Sequence, residues 1–295
     1  MDFSFSQEQE ELRREARGFL AANAGAPLSA LRELGWLGVS VPEERGGGGL
    51  SFVEEAILFE EAGRALYAGP FLMTAVVLPA LPEVDEQAWS LELDGLVPNL
   101  DSVDAVLTER MEVVDAKGET LPTTDETRPL GRLEKAAQPE KGSHLLDGAF
   151  EPVRLRLLAG LALEAVGVAQ KALELGVAYV AEREQFGKKI GTYQAVSHPL
   201  ADTYVETELA RSLAYWAAWS VAEEDDRAPL AVAAAKAQAA ETAVAACERS
   251  IQVHGGIGFT WEHDLHRYYK RAQWIDAFGG HAAVHRRAVA ATILD

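Results

Sequence analysis

The stretch REQFGKKIGTYQAVSHPLAD, from Arg183 to Asp202, separates two segments of about thirty residues that have helical periodicity. In the first segment, apolar residues recur with helical spacing at Leu157, Leu161 and Leu175. A turn between antiparallel helices needs only a few polar residues, whereas this one contains an arginine, a glutamine, a phenylalanine and two lysines. The sequence therefore predicts a bundle of long helices whose first turn is built to hold a ligand.

Residues 151–295 as a whole are predicted to form this bundle. Periodicity predicts helices at roughly 153–183, 192–223, 228–253, 262–272 and 281–293. The run AVAAAKAQAAETAVAA in the third of these helices permits close helix approach. We expect its alanine face to reach a subunit interface in a dimer or tetramer.

Residues 1–75 are predicted to form a separate helical domain. Ser6 can cap a helix over 7–22, with Gln9 completing a capping box. A short second helix is expected in PLSALRELGWLG, and a third is expected to begin at Ser51. The glycines at 46–49 follow no apolar strand and precede no Lys-Ser/Thr pair, so we interpret them as a mobile turn rather than a phosphate loop.

Residues 76–150 are predicted to form a small β-domain. The segments WSLELDGLVPNL, DAVLTER, MEVVDAKGET and RPLGRLEKA are short, partly alternating and bounded by turn residues, as is typical of strands. So few strands cannot form a stable sheet alone and must pack on the helices. The predicted fold class is therefore mostly α with a small β-domain.

Composition excludes several classes of function. The chain has 295 residues, a formal net charge of −19 and one cysteine, Cys247. Such a surface repels nucleic acid and anionic membranes, so any anion site must be locally basic. A single cysteine allows no internal disulfide and, with an acidic amphipathic N-terminus, indicates a cytoplasmic protein. The most apolar run, 155–180, contains charged residues and is not a membrane span.

Three further places carry side chains or backbone suited to chemistry. IQVHGGIGF ends a helix at paired glycines, whose bare N–H groups suit phosphate, although a glycine after a helix is routine. His263 and His266 have a metal-like spacing, but no third ligand is evident and we predict no metal site. Glu164 lies on the buried stripe of its helix, where a carboxylate is either a base or, more often, the ion-pair partner of a Lys or Arg.

Three blocks of the sequence together resemble the acyl-CoA dehydrogenase family: VPEERGGGGLSFVE, REQFGKKIGTYQAVSHPLAD and IQVHGGIGFTWEHDLHRYYKR. Their order fits the family, and the similarity covers the C-terminal half, the N-terminal helices and part of the middle. The resemblance implies an N-terminal helical domain, a central β-domain and a C-terminal four-helix bundle. It also implies FAD between subunits, with the flavin ring in one subunit's β-domain and the ADP end held by a neighbour's bundle.

The resemblance assigns the contacts to a neighbour's FAD to two turns. The first turn and the wall beside it comprise Arg183, Gln185, Phe186, Gly187, Ile190 and Gln194. The second turn comprises Gln252, Gly255 and Gly256. Arginine is a forked, permanent cation suited to pyrophosphate, and the two neighbouring lysines add positive charge on an otherwise acidic chain.

Two departures from the family pattern alter the expected role of this chain. The Thr/Ser-rich and Gly-rich loops that hydrogen-bond the flavin ring look deleted, because GPFLMTAVVLPALPEVDEQAWSLELDG runs directly into the later strands. The family's glutamate, which takes a proton from the acyl-CoA thioester, is also missing. Its usual position matches Gly279, and its position in a smaller branch matches Leu157. Glu164 and Asp276 remain as weak acidic candidates.

The loss of the flavin-facing loops and the loss of the glutamate together predict a subunit that completes the active site of a partner. GIGFTWEHDLH and AAVHRR resemble heteromeric actinobacterial acyl-CoA dehydrogenases of sterol side-chain breakdown. The expected partner is a second acyl-CoA dehydrogenase-like subunit, with FAD as cofactor and acyl-CoA at the partner's site. Two alternatives stay open: a self-sufficient homo-oligomeric flavoenzyme with an unusual base, and a flavin-free structural or acyl-CoA-binding subunit.

Overall fold

The structure, a computed structural model, describes residues 5–134, 146 and 148–294. The helices in these residues are α1 (Gln7–Ala22), α2 (Leu28–Glu33), α3 (Phe52–Arg64), α4 (Phe71–Val77), α5 (Glu151–Glu182), α6 (Gln194–Ala222), α7 (Ala228–His254), α8 (Leu265–Ala277) and α9 (Ala282–Leu294). The strands are β1 (Trp89–Leu91), β2 (Val97–Pro98), β3 (Ala105–Leu107), β4 (Val113–Asp115), β5 (Gly118–Leu121), β6 (Leu130–Leu133), β7 (Glu184–Gln185) and β8 (Lys188–Lys189). The predicted fold class, mostly α with a small β region between helices, is confirmed.

The predicted helix starts in the N-terminal region are confirmed by their caps. The Ser6 hydroxyl accepts a hydrogen bond from the backbone N–H of Gln9, whose side-chain amide oxygen accepts one from the Ser6 N–H. Ser51 and Glu54 form the same capping box at the start of α3. Each box satisfies N–H groups that a helix end otherwise leaves unpaired.

The glycine loop at 46–49 is a turn, as the sequence predicts, and its backbone N–H groups are all hydrogen-bonded. The four backbone N–H groups donate to the carbonyls of Glu43, Pro42, Gly38 and Val41, respectively. A side chain at Gly47 would overlap the carbonyl of Val41, so the close approach requires glycine there. None of the four N–H groups is free for a phosphate.

The middle region forms two small sheets that rest on the helices. One has the strand order β1-β3-β4, with β1 and β3 parallel, and the other is the antiparallel sheet β2-β6-β5. Helix α4 was not predicted, because the short apolar run FLMTAVV fits a buried strand as well as a buried helix. Thr74 of α4 exchanges hydrogen bonds of 3.0 Å with the backbone of Trp89 and so fixes α4 against β1.

The C-terminal bundle has the predicted antiparallel arrangement of its first two long helices. Gln170 of α5 accepts a hydrogen bond from Arg211 of α6, whereas Gly176 of α5 lies against Leu200 of α6. Residues later in α5 therefore contact residues earlier in α6, as they must in an antiparallel pair. Among the described residues, no helix is long and apolar enough to cross a membrane.

Helix α7 is the central helix of the bundle, and this corrects the prediction for its alanine face. Most of its residues are buried within the chain, where the small side chains let α7 pack against α5, α6, α8 and α9. The exposed positions are Pro229, Glu241, Glu248 and Gln252. The alanines are therefore used inside the subunit and are not available for a subunit interface.

Candidate functional site

The turn between α5 and α6 is a β-hairpin rather than a simple loop. Strands β7 and β8 are joined by Phe186 and Gly187, which have φ values of +54° and +81°. Two residues with positive φ are what a type I′ hairpin turn requires, but phenylalanine is uncommon in that conformation. The Phe186 side chain is 92% exposed. The hairpin therefore holds an aromatic ring in solvent at a backbone cost, a combination that favours a binding role.

Arg183 stands at the base of this hairpin with its guanidinium uncommitted. Its carbonyl accepts a hydrogen bond of 2.8 Å from the Ile190 N–H, which closes the hairpin. Its exposed side chain has no hydrogen bond or ion pair to any residue that the structure describes. Lys188 lies 4.1 Å from the ring centroid of Tyr193, and Lys189 is exposed beside it. The hairpin thus presents a fork of N–H donors and two ammonium groups to an anionic ligand.

The second glycine turn begins where α7 ends at His254. Gly255 has φ +63° and ψ −142°, a region that only glycine adopts readily. A Cβ at Gly255 or Gly256 would meet no atom within 4 Å, so the backbone of both residues faces open space. Gln252, one turn earlier, is exposed as well. The Gly255 N–H donates to the Gln252 carbonyl, whereas the open space around both glycines and the exposed Gln252 amide suit a phosphate or ribose.

The fold brings the two turns to the same end of the bundle. The ring of Tyr179, near the end of α5, stacks on His254, with centroids 4.2 Å apart and planes at 24°. Ile190, after the hairpin, belongs to a small apolar cluster with Val180 and Val253. Gln194 is exposed at the first residue of α6. Residues about 70 positions apart in sequence therefore form one surface.

The two positions that match the family's glutamate are closed by apolar side chains. Gly279 has φ +73°, and a Cβ there would lie 2.7 Å from Leu158 Cδ2 and 3.3 Å from Leu93 Cδ2. Leu157 is fully buried in the main core. A carboxylate at Gly279 would meet the side chains of Leu158 and Leu93, and one at position 157 would lie in the hydrophobic core.

Hydrophobic side chains also cover α5 at Gly160, on the side that faces α4. A Cβ at Gly160 would lie 3.1 Å from the Phe59 ring and 3.5 Å from Leu72 of α4. Residues 78–88 connect α4 to β1, and α4 packs against both α5 and β1. Hydrophobic side chains of α3 and α4 thus cover this part of α5.

Glu164 is the centre of a buried ion-pair cluster. Its two carboxylate oxygens accept hydrogen bonds of 2.5 and 2.8 Å from Arg128, and one of them also accepts from Arg271. Arg271 Nε in turn donates to Asp125 at 2.5 Å. We call Asp125, Arg128, Glu164 and Arg271 the buried cluster; each is at most 3% exposed. Of the two roles considered for Glu164, a base or an ion-pair partner, the structure therefore shows the ion-pair partner.

The remaining sequence candidates have local structural roles. One oxygen of Asp276 lies 2.7 Å from His281 Nδ1, and the other accepts from the Ala282 N–H, so Asp276 caps α9. His263 Nδ1 accepts a hydrogen bond of 3.2 Å from the Leu265 N–H. Within the described ranges, no group of three or more His, Cys, Asp or Glu side chains could hold a metal ion.

A cleft of about 200 Å³ lies away from these positions, between α1, α3, α5 and α8. Its lining includes Arg17 and Arg64, which form bidentate pairs with Glu61 and Glu174. The cations of the cleft are thus largely neutralised by acids of the same chain. We assign it a structural role in joining the N-terminal helices to the bundle.

The buried side chains of Lys236 and His285 hold the turn between α8 and α9. The sequence patterns did not single out either residue. Lys236 of α7 donates hydrogen bonds to the carbonyls of Ile275 at 2.7 Å and Gly280 at 3.3 Å. His285 lies 3.0 Å from the Gly279 carbonyl through Nε2, which therefore carries the proton and donates. Burial lowers the pKa of Lys236 to about 8, and burial with the nearby Lys236 charge lowers the pKa of His285 to about 4.

The buried His285 predicts a specific loss of stability in acid. Because its pKa falls from an ordinary 6.5 to about 4 on folding, the unfolded chain binds more protons between these pH values. The contribution of His285 to the unfolding free energy is complete above pH 6.5 and is lost as the pH falls towards 4. Between pH 7 and pH 5 we expect a loss of about 1–2 kcal/mol in unfolding free energy from this residue. His285→Gln retains an N–H donor and should lack this component in urea titrations at the two pH values. An equal loss in both proteins would contradict the assignment.

Sequence profiles of the acyl-CoA dehydrogenase family match most of the chain. The N-terminal domain profile matches residues 6–82, and the C-terminal domain profile matches residues 141–294. Acyl-CoA dehydrogenase IpdE2 of Mycobacterium tuberculosis is 34% identical, over 87% of this chain and 84% of its own length. Acyl-CoA dehydrogenase FadE34 of the same organism is 34% identical over 93% of this chain, but the chain spans only 44% of FadE34.

Solved structures share the fold over nearly the whole chain. The Tcur3481–Tcur3483 steroid acyl-CoA dehydrogenase, as a G363A variant, is 26% identical with a TM-score of 0.84, and the alignment covers 98% of both chains. The ChsE4–ChsE5 complex of Mycobacterium tuberculosis has a TM-score of 0.86 over 100% of this chain and 99% of the other. At 23% identity, the latter likeness establishes the fold alone. On its sequence profiles and its relatives, this chain belongs to the acyl-CoA dehydrogenase family.

Proposed function

We propose that this chain is the non-catalytic subunit of a heteromeric, FAD-dependent acyl-CoA dehydrogenase. In this role its bundle grips the ADP part of an FAD whose flavin ring lies in the partner subunit. The partner also supplies the acyl-CoA pocket and the carboxylate base. The chain's own family site is closed and does no chemistry.

One observation carries the first half of this proposal. The uncommitted, exposed guanidinium of Arg183 and the sterically open turn at Gly255 and Gly256 lie at one end of the bundle on a chain of net charge −19. Arg183 forms no ion pair with any described acid, in contrast to the arginines of the cleft and of the buried cluster. An uncompensated cation on an acidic protein indicates an anionic ligand, and a pyrophosphate matches its forked donors.

The closed family site supports the second half. Leu93 and Leu158 occupy the space that a side chain at Gly279 would need, and Glu164 is fully engaged by two arginines. A general base must reach the proton that it abstracts, and neither position offers that access. Two of the similar solved structures, Tcur3481–Tcur3483 and ChsE4–ChsE5, combine two differently named chains, which favours a heteromer here too.

When bound, FAD would supply the hydride acceptor for α,β-desaturation of the acyl-CoA. The residues of this chain would act on the other end of the cofactor. Arg183 would neutralise the pyrophosphate, the Gln252 side-chain amide would donate a hydrogen bond, and Phe186 would cover the adenosine. The open turn at Gly255 and Gly256 would let the ligand approach the backbone closely. Each of these groups binds and orients, and none of them moves a proton of the substrate.

The absorbance spectrum of the purified protein tests the proposal. The chain expressed alone should be colourless, whereas the chain co-expressed with its acyl-CoA dehydrogenase-like partner should show flavin absorbance near one FAD per pair of subunits. A yellow chain that oxidises acyl-CoA alone would instead establish the self-sufficient enzyme. Absence of flavin from the purified complex, even after incubation with FAD, would favour a structural or acyl-CoA-binding subunit.

A further inference from the structure

We propose that Tyr179, His254 and His263 form an aromatic clamp that fixes the two FAD-gripping turns relative to each other. The three rings are positioning residues, since none of them is expected to contact the reacting atoms. This inference rests on the proposed function for its role towards FAD. The coupling between the two turns involves only residues of this chain, so it can be tested without FAD.

The clamp joins the two turns by short connections. The Tyr179 carbonyl accepts a hydrogen bond of 2.9 Å from the Arg183 N–H, so its ring stands one helical turn before the guanidinium. His254 immediately precedes Gly255, and its ring stacks on Tyr179 at 4.2 Å. His263 lies on the other side of the glycine turn, and its ring centroid is 4.4 Å from that of His254. The contact between the two histidines closes the loop that Gly255 and Gly256 open.

Hydrogen bonds fix the orientation of both histidine rings. His254 Nδ1 lies 2.7 Å from the Ser250 carbonyl and must carry the proton. His263 Nδ1 accepts from the Leu265 N–H at 3.2 Å and must lack one. With these bonds the rings cannot rotate without losing a partner, so the stack is held from both sides.

The position of the clamp argues for a role beyond core packing. Tyr179 and His263 are only partly buried, and the Tyr179 hydroxyl has no hydrogen-bond partner among the residues that the structure describes. The rings lie at the rim of the bundle, between a hairpin with a strained Phe186 and a turn that only glycine can make. Ile190 and Val253 already pack in one apolar cluster behind the two turns, and the stacked rings add a second, rigid connection between them.

Hydrogen exchange of the full chain without FAD tests the coupling directly. Tyr179→Ala should raise exchange about three- to tenfold in both 183–193 and 255–262, the range expected for a lost aromatic pair. Tyr179→Phe keeps the ring and should leave both segments unchanged. Tyr204→Ala removes an exposed tyrosine of α6 and serves as the matched control. Faster exchange in the hairpin alone, or equally throughout the chain, would overturn the clamp.

FAD affinity of the co-purified complex tests the role of the clamp. Tyr179→Ala should weaken FAD about three- to tenfold, and Tyr179→Phe should restore wild-type affinity. If Arg183→Ala weakens FAD but Tyr179→Ala does not, the clamp has no role in binding while the proposed function stands. If neither variant changes FAD affinity, the proposed contact surface is wrong, whatever the exchange data show.

Discussion

Glu164→Gln should lower the free energy of unfolding by about 3–5 kcal/mol, because it leaves buried arginines without their counter-charge. Glu164 is 1% exposed and accepts hydrogen bonds from both Arg128 and Arg271. Asp125 is the other acid of the buried cluster and already pairs with Arg271. The neutral variant would therefore bury one excess positive charge. Urea unfolding followed by circular dichroism measures the change.

Two comparison variants separate charge balance from packing. Arg128→Met together with Glu164→Leu removes one charge of each sign, leaves the Asp125–Arg271 pair, and should recover most of the lost stability. Glu174→Gln removes the more exposed acid that pairs with Arg64 and should cost below about 1 kcal/mol. A loss of under about 1 kcal/mol for Glu164→Gln would show that the buried cluster is not held by its charges.

The same variant also decides whether Glu164 is a catalyst. If the partner supplies the base, the complex with Glu164→Gln should oxidise acyl-CoA at nearly the wild-type rate, provided that it folds and binds FAD. Asp276→Asn should behave likewise, since Asp276 caps α9 and pairs with His281. A fall in rate of more than about a hundredfold with FAD retained would make this chain a catalyst in its own right.

Arg183→Ala should weaken the binding of FAD to the complex by roughly ten- to a hundredfold. A charge-assisted hydrogen bond is worth about 1.5–3 kcal/mol, and about 1.4 kcal/mol corresponds to a tenfold change in affinity. The effect should be visible because no acid of the described chain competes for the guanidinium. Gln252→Ala should weaken FAD less, since the lost bond is neutral. Equilibrium titration of the apo-complex with FAD measures both.

Arg227→Ala is the matched control for this prediction. Arg227 is an exposed arginine in the connection between α6 and α7, at the opposite end of the bundle, where it pairs with Asp225. The same change in net charge there should leave FAD affinity within about twofold, because a charge so distant is screened by salt. Equal weakening by the two variants would indicate a general charge effect and would remove Arg183 from the site.

The sequence by itself determined the long helices and singled out the two turns, although not the short helix α4. Helix starts and ends depend on nearby residues, as the capping boxes of Ser6 and Ser51 illustrate, and a helix face repeats every few residues. Arg183 and Gly255 could be singled out for the same reason, since each breaks a long helix with residues that a simple connection does not need. Strands in the middle region were recognised from turn residues on either side of them.

Only the tertiary structure decided which of these residues meet and which are closed off. The ion-pair partners of Glu164 come from a loop at 125–128 and from α8, more than a hundred residues apart, and no local pattern links them. The same holds for Leu93 against Gly279 and for Tyr179 against His254. The alanines of α7 look alike in sequence whether a neighbouring helix or another subunit covers them. Burial depends on what packs against a face, and that is set by contacts between distant segments.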